Sequence, residues 1–302
     1  MWRQKIARDL RKHWMAYLML LPVMAYFVIY KYFPMYGLQI AFKNYKPALD
    51  IQGSKWVGLK HFHSFFQSIF FGRLIRNTLT ISVTSLIFSF PAPIILALLL
   101  NEVKSNGFKK TVQTITYLPH FISLVVMCGL IKIFSQGNGL FNDIIIVFGG
   151  TRQALLANPG LFVPIYIISG IWQSIGWGSI IYLAAITGID PELYDAATVD
   201  GAGKLRQAWH ITLSGIAPTI ITLSILQVGK LMSVGYEKIL LLYNDLVMDR
   251  ADVISTYVYR RGLLEANYSF SAAVGMFNSI INFILVLSAN AISRKVTETS
   301  LW

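Results

Sequence analysis

Very few side chains in this sequence have the types and spacing that bond-making chemistry needs. His61 and His63 stand two apart with no carboxylate cluster beside them, so they read as interfacial side chains rather than metal ligands. The single cysteine, Cys128, lies inside an apolar run. It therefore forms no disulfide or cysteine metal site within one chain and reads as a small core residue. No G-x-x-x-x-G-K-S/T run occurs, so the common phosphate-cradling loop for ATP is missing and no cofactor is expected in this chain. A nucleophile with its base, or clustered His and Asp ligands, would argue for an enzyme, and neither is present. What remains is a set of polar side chains placed in apolar stretches.

Gly170, Ser174 and Gly178 recur at i, i+4, i+8, with Gln173 and Trp177 in a neighbouring stripe. Ser224, Gln227 and Lys230 share one helical face, and Ser271, Gly275, Asn278 and Asn282 share another. Polar groups in hydrocarbon are costly and usually face the interior of a helix bundle. Amides and aromatic faces there suit a hydroxyl-rich solute, which makes Gln173, Trp177, Gln227, Lys230, Asn278 and Asn282 the candidate path residues. The same side chains also serve as glue between helices, and the sequence leaves both readings open. Lys230 lies about 18 Å beyond Pro218 at 1.5 Å per residue, past the middle of a bilayer. A lysine at the centre costs roughly 2.5–3.5 kcal/mol, so it either snorkels outward or meets a passing anionic group. Lys132 is nearer an outer end, where snorkelling is the simpler reading.

The elements that must position these residues follow from composition. The chain has 302 residues, 55% apolar and 13% charged, with a mean hydropathy of +0.56. These values indicate an all-α integral membrane protein rather than a soluble core. The net charge of +12 is dispersed between apolar runs, which points to membrane flanks and not to nucleic acid. Six spans of about 20 residues are expected: 14–33, 78–100, 114–134, 161–187, 215–235 and 270–293. Pro91 and Pro93 should kink the second. A basic stretch from Arg3 to Lys12 precedes the first span. The bulky Tyr32-Phe33-Pro34-Met35 follows it without a small-residue cleavage site, so the start reads as an uncleaved anchor. The alternate segments that begin with residues 1–13 carry the denser Lys and Arg, which places the N-terminus in the cytoplasm, although the basic loop 34–77 runs against that trend. This outer loop is rich in aromatics. It reads either as an interfacial belt or as a docking surface for an extracytoplasmic partner.

Between the fourth and fifth spans lies an amphipathic stretch, 188–214. Asp190 is a good N-cap, Pro191 suits the first helical position and Glu192 complements the helix dipole. Gly201 falls where a left-handed residue would end that helix. A second helix is expected from Ala202 to Leu213, with Leu205, Trp209 and Leu213 as its apolar stripe. The result is a helical elbow between two spans.

The run Tyr194-Asp195-Ala196-Ala197-Thr198-Val199-Asp200-Gly201-Ala202, with Ile211-Thr212-Leu213 and Pro218, resembles the EAA loop of ABC importer permeases. Asp195 replaces the usual Glu, and Ser214 stands where a Pro often follows the Leu. The resemblance implies the MetI-like, type I importer fold, with core 78–293 and tail 294–302. It makes Tyr194, Asp195, Ala196, Ala197, Asp200, Gly201 and Ala202 the residues that couple to an ATPase. It further implies a cytoplasmic ATPase dimer that binds ATP and Mg, a second permease, an extracytoplasmic solute-binding protein and the bacterial cell membrane. Residues 36–42 and 56–62 are similar to segments of permeases for oligosaccharides and complex polysaccharides, whose cargo includes acidic sugars. The rival class is an ion-coupled secondary transporter or channel. No Asp or Glu falls within the six expected spans to form its carboxylate relay.

Overall fold

The computed structural model describes residues 12–297 and 300–301; the expected basic segment before Lys12 lies outside them. The chain gathers into two compact units. Of the described residues, one unit holds those up to Gln67 together with Arg261–Met276, and the other holds Ser68–Arg260 together with those after Met276. Among the described residues, four helical runs are long and apolar enough to cross a membrane, and six if each of two bent pairs counts as one span.

In the first unit, helix α1 (Trp14–Phe27) buries none of its residues within the chain. It continues through a π turn, Val28–Tyr32, and a 3-10 helix, Phe33–Phe42. The helical run therefore passes the expected end at residue 33. Lys43–Asn44 pairs antiparallel with Lys55–Trp56, and Phe42 stacks on Trp56 with centroids 5.6 Å apart. In helix α2 (Lys60–Phe66), His61 is buried with Nε2 3.1 Å from the Lys43 carbonyl. Burial pushes its imidazole below the usual histidine value, against the raising effect of that backbone contact. It is a structural histidine.

The second unit begins with α3 (Phe71–Phe88) and α4 (Pro91–Glu102). The expected kink is a break at Ser89 and Phe90, where Pro91 opens the new helix at a position that needs no N–H donor. The span starts seven residues earlier than expected because its polar first turns are tied down. Asn77 is buried and donates to the carbonyls of Asp249 and Asp252 at 2.8 and 2.9 Å. Beneath it, the fully buried Asp252 carboxylate accepts two bonds from Arg260, at 2.9 and 2.7 Å, one from Thr256 at 2.8 Å and one from Arg73 at 3.4 Å.

The expected span 114–134 is sharply bent in the structure. Helix α5 (Asn106–Tyr117), extended by a 3-10 turn to Phe121, meets α6 (Leu124–Phe134) at 99°. Pro119 sits in that turn, and the Ser123 hydroxyl caps the Val126 N–H to start a fresh helix. Helix α7 (Leu140–Val147) follows, and α8 (Pro159–Thr187) is the long central element, capped by Asn158. Gly176 lets α8 lie directly on α5, since an added Cβ would stand 2.1 Å from the Thr116 carbonyl oxygen. Gly178 similarly admits Pro93. Small residues thus do set the approach of neighbours to α8.

The elbow comprises α9 (Pro191–Val199) and α10 (Lys204–Gln207), the latter continued through a π turn at Ala208–Thr212 to Gly215. After a 63° bend comes α11 (Ala217–Val228). The expected fifth span, 215–235, is therefore helical only to Val228. Gly229 abuts the last long helix so closely that a Cβ would fall 2.0 Å from Val286 Cγ2. Short helices, among them α12 (Tyr236–Leu242) and α13 (Ile254–Tyr259), lead to α14 (Tyr268–Thr297). The main core of this unit joins Ile81, Met127, Ile131, Phe162, Ile239 and Leu242.

Candidate functional site

The elbow is built as its residue types require. The Asp190 carboxylate accepts the Glu192 N–H at 3.0 Å, and Pro191 follows as the first helical residue. At the other end Gly201 has φ of 75°. The Gly201 N–H reaches the Thr198 carbonyl at 3.1 Å, and the Ala202 N–H reaches the Ala197 carbonyl at 2.8 Å. That pair of bonds is a Schellman stop, which glycine makes without Cβ strain. The second helix starts at Lys204, two residues later than expected. The first helix is latched to it by Gln207, buried, which donates to Thr198 Oγ1 at 2.9 Å and to the Ala202 carbonyl at 3.0 Å. The Tyr194 hydroxyl lies 3.0 Å from Thr212 Oγ1. The sequence reading missed Gln207, because nothing in its spacing shows that the hairpin folds back on it.

The outer surface of the elbow is apolar where solvent would favour polar groups. Val199 and Leu205 are 88% and 89% exposed, Trp209 is 68% exposed, and Asp195 and Asp200 are exposed beside them. Of the expected stripe, Leu205 and Trp209 therefore stay uncovered within the chain, as does Val199, whereas Leu213 is half-buried and packs on the core formed by Ile94, Tyr182, Ile186 and Ile216.

Two adjoining chambers lie among α3, α4, α8 and α11. The smaller, about 230 Å³, is lined by Ser82, Ser85, Tyr166, Gln227, Lys230 and Ser233 among others. The larger, about 410 Å³, is lined by Ser89, Ser174, Tyr182 and again Gln227 and Lys230. No acidic side chain lines either one. Lys230 follows the end of the half-length α11, in the turn where its N–H bonds the Gln227 carbonyl at 3.1 Å. A cation there faces the negative end of the helix dipole. Irregular backbone at membrane depth is tolerated where it lines a wet cavity, and this turn does so.

Of the six expected path residues, the chambers bring together only Gln227 and Lys230. Gln173 donates to the Ile122 carbonyl at 3.2 Å, and Trp177 stacks on His120 with centroids 4.5 Å apart. Both secure the bend between α5 and α6. Asn282 holds the turn after α11, accepting the Met232 N–H at 2.9 Å and donating to Ser233 Oγ at 2.8 Å. Asn278 lines neither chamber, and its buried Oδ1 has no partner among the described residues. Tyr166, Ser82, Ser85 and Ser233 enter in their place. Among the described residues no three His, Cys, Asp or Glu gather as metal ligands.

Residues 89–298, which include the elbow and most of the chamber lining, match the family of the binding-protein-dependent transport system inner membrane component. The chain belongs to that family. It is accordingly a multi-pass membrane subunit of a transport system. It is 45% identical, over 99% of its own length and 94% of the relative, to the polygalacturonan/rhamnogalacturonan transport system permease protein YteP of Bacillus subtilis. It is 42% identical to protein LplB of the same organism, over 100% of the chain and 94% of the relative. A solved chain of a bacterial alginate ABC transporter, in complex with an alginate pentasaccharide-bound periplasmic protein, superposes with a TM-score of 0.89. It shares 46% identity and is matched over 97% of this chain and 99% of its own. The permease fold that the elbow implies is therefore the fold present.

Proposed function

We propose that this permease forms, with a second permease chain, the path by which acidic oligosaccharides or polysaccharide fragments enter a bacterial cell across its cytoplasmic membrane. An extracytoplasmic solute-binding protein delivers the sugar, and a cytoplasmic ATPase dimer that binds ATP and Mg supplies the work. The observation that carries the reading is a single cation, Lys230, shared with Gln227 by two hydroxyl-lined chambers that contain no carboxylate. Serine and tyrosine hydroxyls and an amide match sugar hydroxyls, and the ammonium matches a uronate. The names of the relatives agree with this cargo, as they refer to polygalacturonan and to alginate, called an acidic polysaccharide.

The elbow supplies the coupling. Its exposed Val199, Leu205 and Trp209 need an apolar cover, and its exposed Asp195 and Asp200 need a polar one. A cleft of the ATPase would offer both. Closure of the ATPases draws the two elbows together and shifts the permease pair between inward- and outward-facing populations, to the extent that the ATPase binds one state better. The aromatic outer loop, with Trp56 60% exposed, is the surface assigned to the binding protein.

Lys230→Met keeps the apolar stem and removes only the charge. Uptake of a uronate oligosaccharide by cells carrying this variant should fall about tenfold or more, as expected for loss of one partly desolvated ion pair, while expression stays near wild type. Neutral oligosaccharides, where carried, are spared. Unchanged uptake of the acidic sugar would mean that Lys230 only snorkels, and the acidic-cargo reading would fall.

A further inference from the structure

Lys238 lies on α12, outside every expected span, and reads from sequence as an ordinary outer-loop cation. In the structure it is 8% exposed. Its Nζ donates to the Tyr166 backbone carbonyl at 2.8 Å and stands 4.5 Å from the centroid of the Tyr166 ring. No carboxylate pairs with it among the described residues; the ion pairs of this unit go to Asp252, Asp249, Asp143 and Glu102. Room for the ammonium is made by Gly170, where an added Cβ would lie 3.2 Å from Nζ. A small residue of the α8 stripe thus accommodates a charge.

A buried ammonium with one carbonyl and one ring face is under-compensated, because desolvating a charge costs more than a single hydrogen bond and a cation–π contact return. Such a group, packed against a residue that lines a chamber, is a candidate for function and not only for packing. The side chain that it touches is the clue. Tyr166 lines the smaller chamber, with its hydroxyl end near Gly235, another lining residue. Lys238 is therefore one side chain removed from the chamber that already holds Lys230.

We propose that Lys238 is a second cation of the path, a selectivity residue that acts through Tyr166 to make the smaller chamber positive. A polyuronate carries one negative charge per sugar, so a chamber with two separated positive groups matches a chain of such sugars better than a single acidic ring. With no acid beside it, Lys238 spends its charge on the chamber. The inference rests on the acidic-saccharide reading above and adds a residue, a direction of effect and a preference for chains.

The test is equilibrium binding of a galacturonate trimer, and of the same trimer fully methyl-esterified, to the purified transporter complex in nanodiscs without binding protein. In the wild type the acid form should bind more tightly than the ester. Lys238→Met should lower that preference roughly tenfold, the order of effect of one unit charge acting across a side chain in a medium of intermediate polarity. Lys238→Gln still donates to the Tyr166 carbonyl but is neutral, and it should lose the preference to the same extent. If Gln keeps the wild-type preference while Met loses it, Lys238 serves packing alone and the proposal is wrong. It is equally wrong if both variants keep the preference. A wild type that does not favour the acid trimer overturns the acidic-cargo reading itself, before any variant is compared. The Gln variant also guards against a Met variant that fails to assemble.

Discussion

Gly201→Val should leave a complex that assembles in membranes but whose ATP turnover no longer responds to loaded binding protein. The residue sits at φ of 75° with nothing within 4 Å of an added Cβ, so the whole cost of the change is backbone strain rather than a clash. A β-branched residue in that region costs about 1–3 kcal/mol. The cheapest relief is to abandon the left-handed turn, which breaks the Ala202-to-Ala197 bond and re-aims α10 relative to α9. An elbow aimed differently no longer presents Val199, Leu205 and Trp209 as one surface. Gly201→Asn provides the control, because asparagine enters the left-handed region several-fold more readily than other residues. It should retain most of the stimulated turnover. Full stimulation in the Val variant would show that the rigid turn is not what transmits the signal.

Asp252→Asn should be the most destabilising single change in the second unit. The carboxylate is fully buried and holds Arg260 through two bonds, together with Arg73 and Thr256. Neutralising it leaves two guanidinium groups facing a buried amide that cannot accept from both with charge. Removing one partner of a buried pair costs about 3–5 kcal/mol, a large part of the total stability of an ordinary domain. Arg73→Met should cost much less, since its contact is longer, at 3.4 Å, and its side chain is 27% exposed. Thermal unfolding of the purified complex, read by tryptophan fluorescence, should place Asp252→Asn far below wild type and Arg73→Met between them. Equal midpoints for Asp252→Asn and wild type would contradict the clasp.

How much of this was legible in the sequence depends on how local each feature is. The elbow was readable because a cap, a proline, a glycine and their spacing sit within twelve residues and act through their own backbone. Gln207 was not, since its bonds to Thr198 and Ala202 exist only once the hairpin has closed. Hydropathy located the apolar runs but not their continuity. A run of apolar residues looks the same whether straight or bent, so the 99° bend after Pro119 and the end of α11 at Val228 were invisible. That end moved Lys230 from a helical stripe to a turn, and it left Asn282 as the residue that holds the turn instead of a wall of the path. Gln173 and Trp177 were placed on α8 correctly but spent on carbonyl and ring partners that no periodicity reveals. Lys238 and Asp252 were hidden for a different reason. Their surroundings come from residues far away in the chain, and charge in a loop reads as solvated until a structure shows it buried.

The most direct measurement is uptake by liposomes that contain this permease, its partner permease and the ATPase dimer, with loaded binding protein outside. An acidic oligosaccharide should accumulate inside only when ATP and Mg are present in the lumen with the ATPases, and imposed proton or sodium gradients should not replace them. Accumulation of the same sugar in liposomes that lack the ATPases, driven by an ion gradient alone, would contradict the coupled-permease mechanism and favour a secondary transporter.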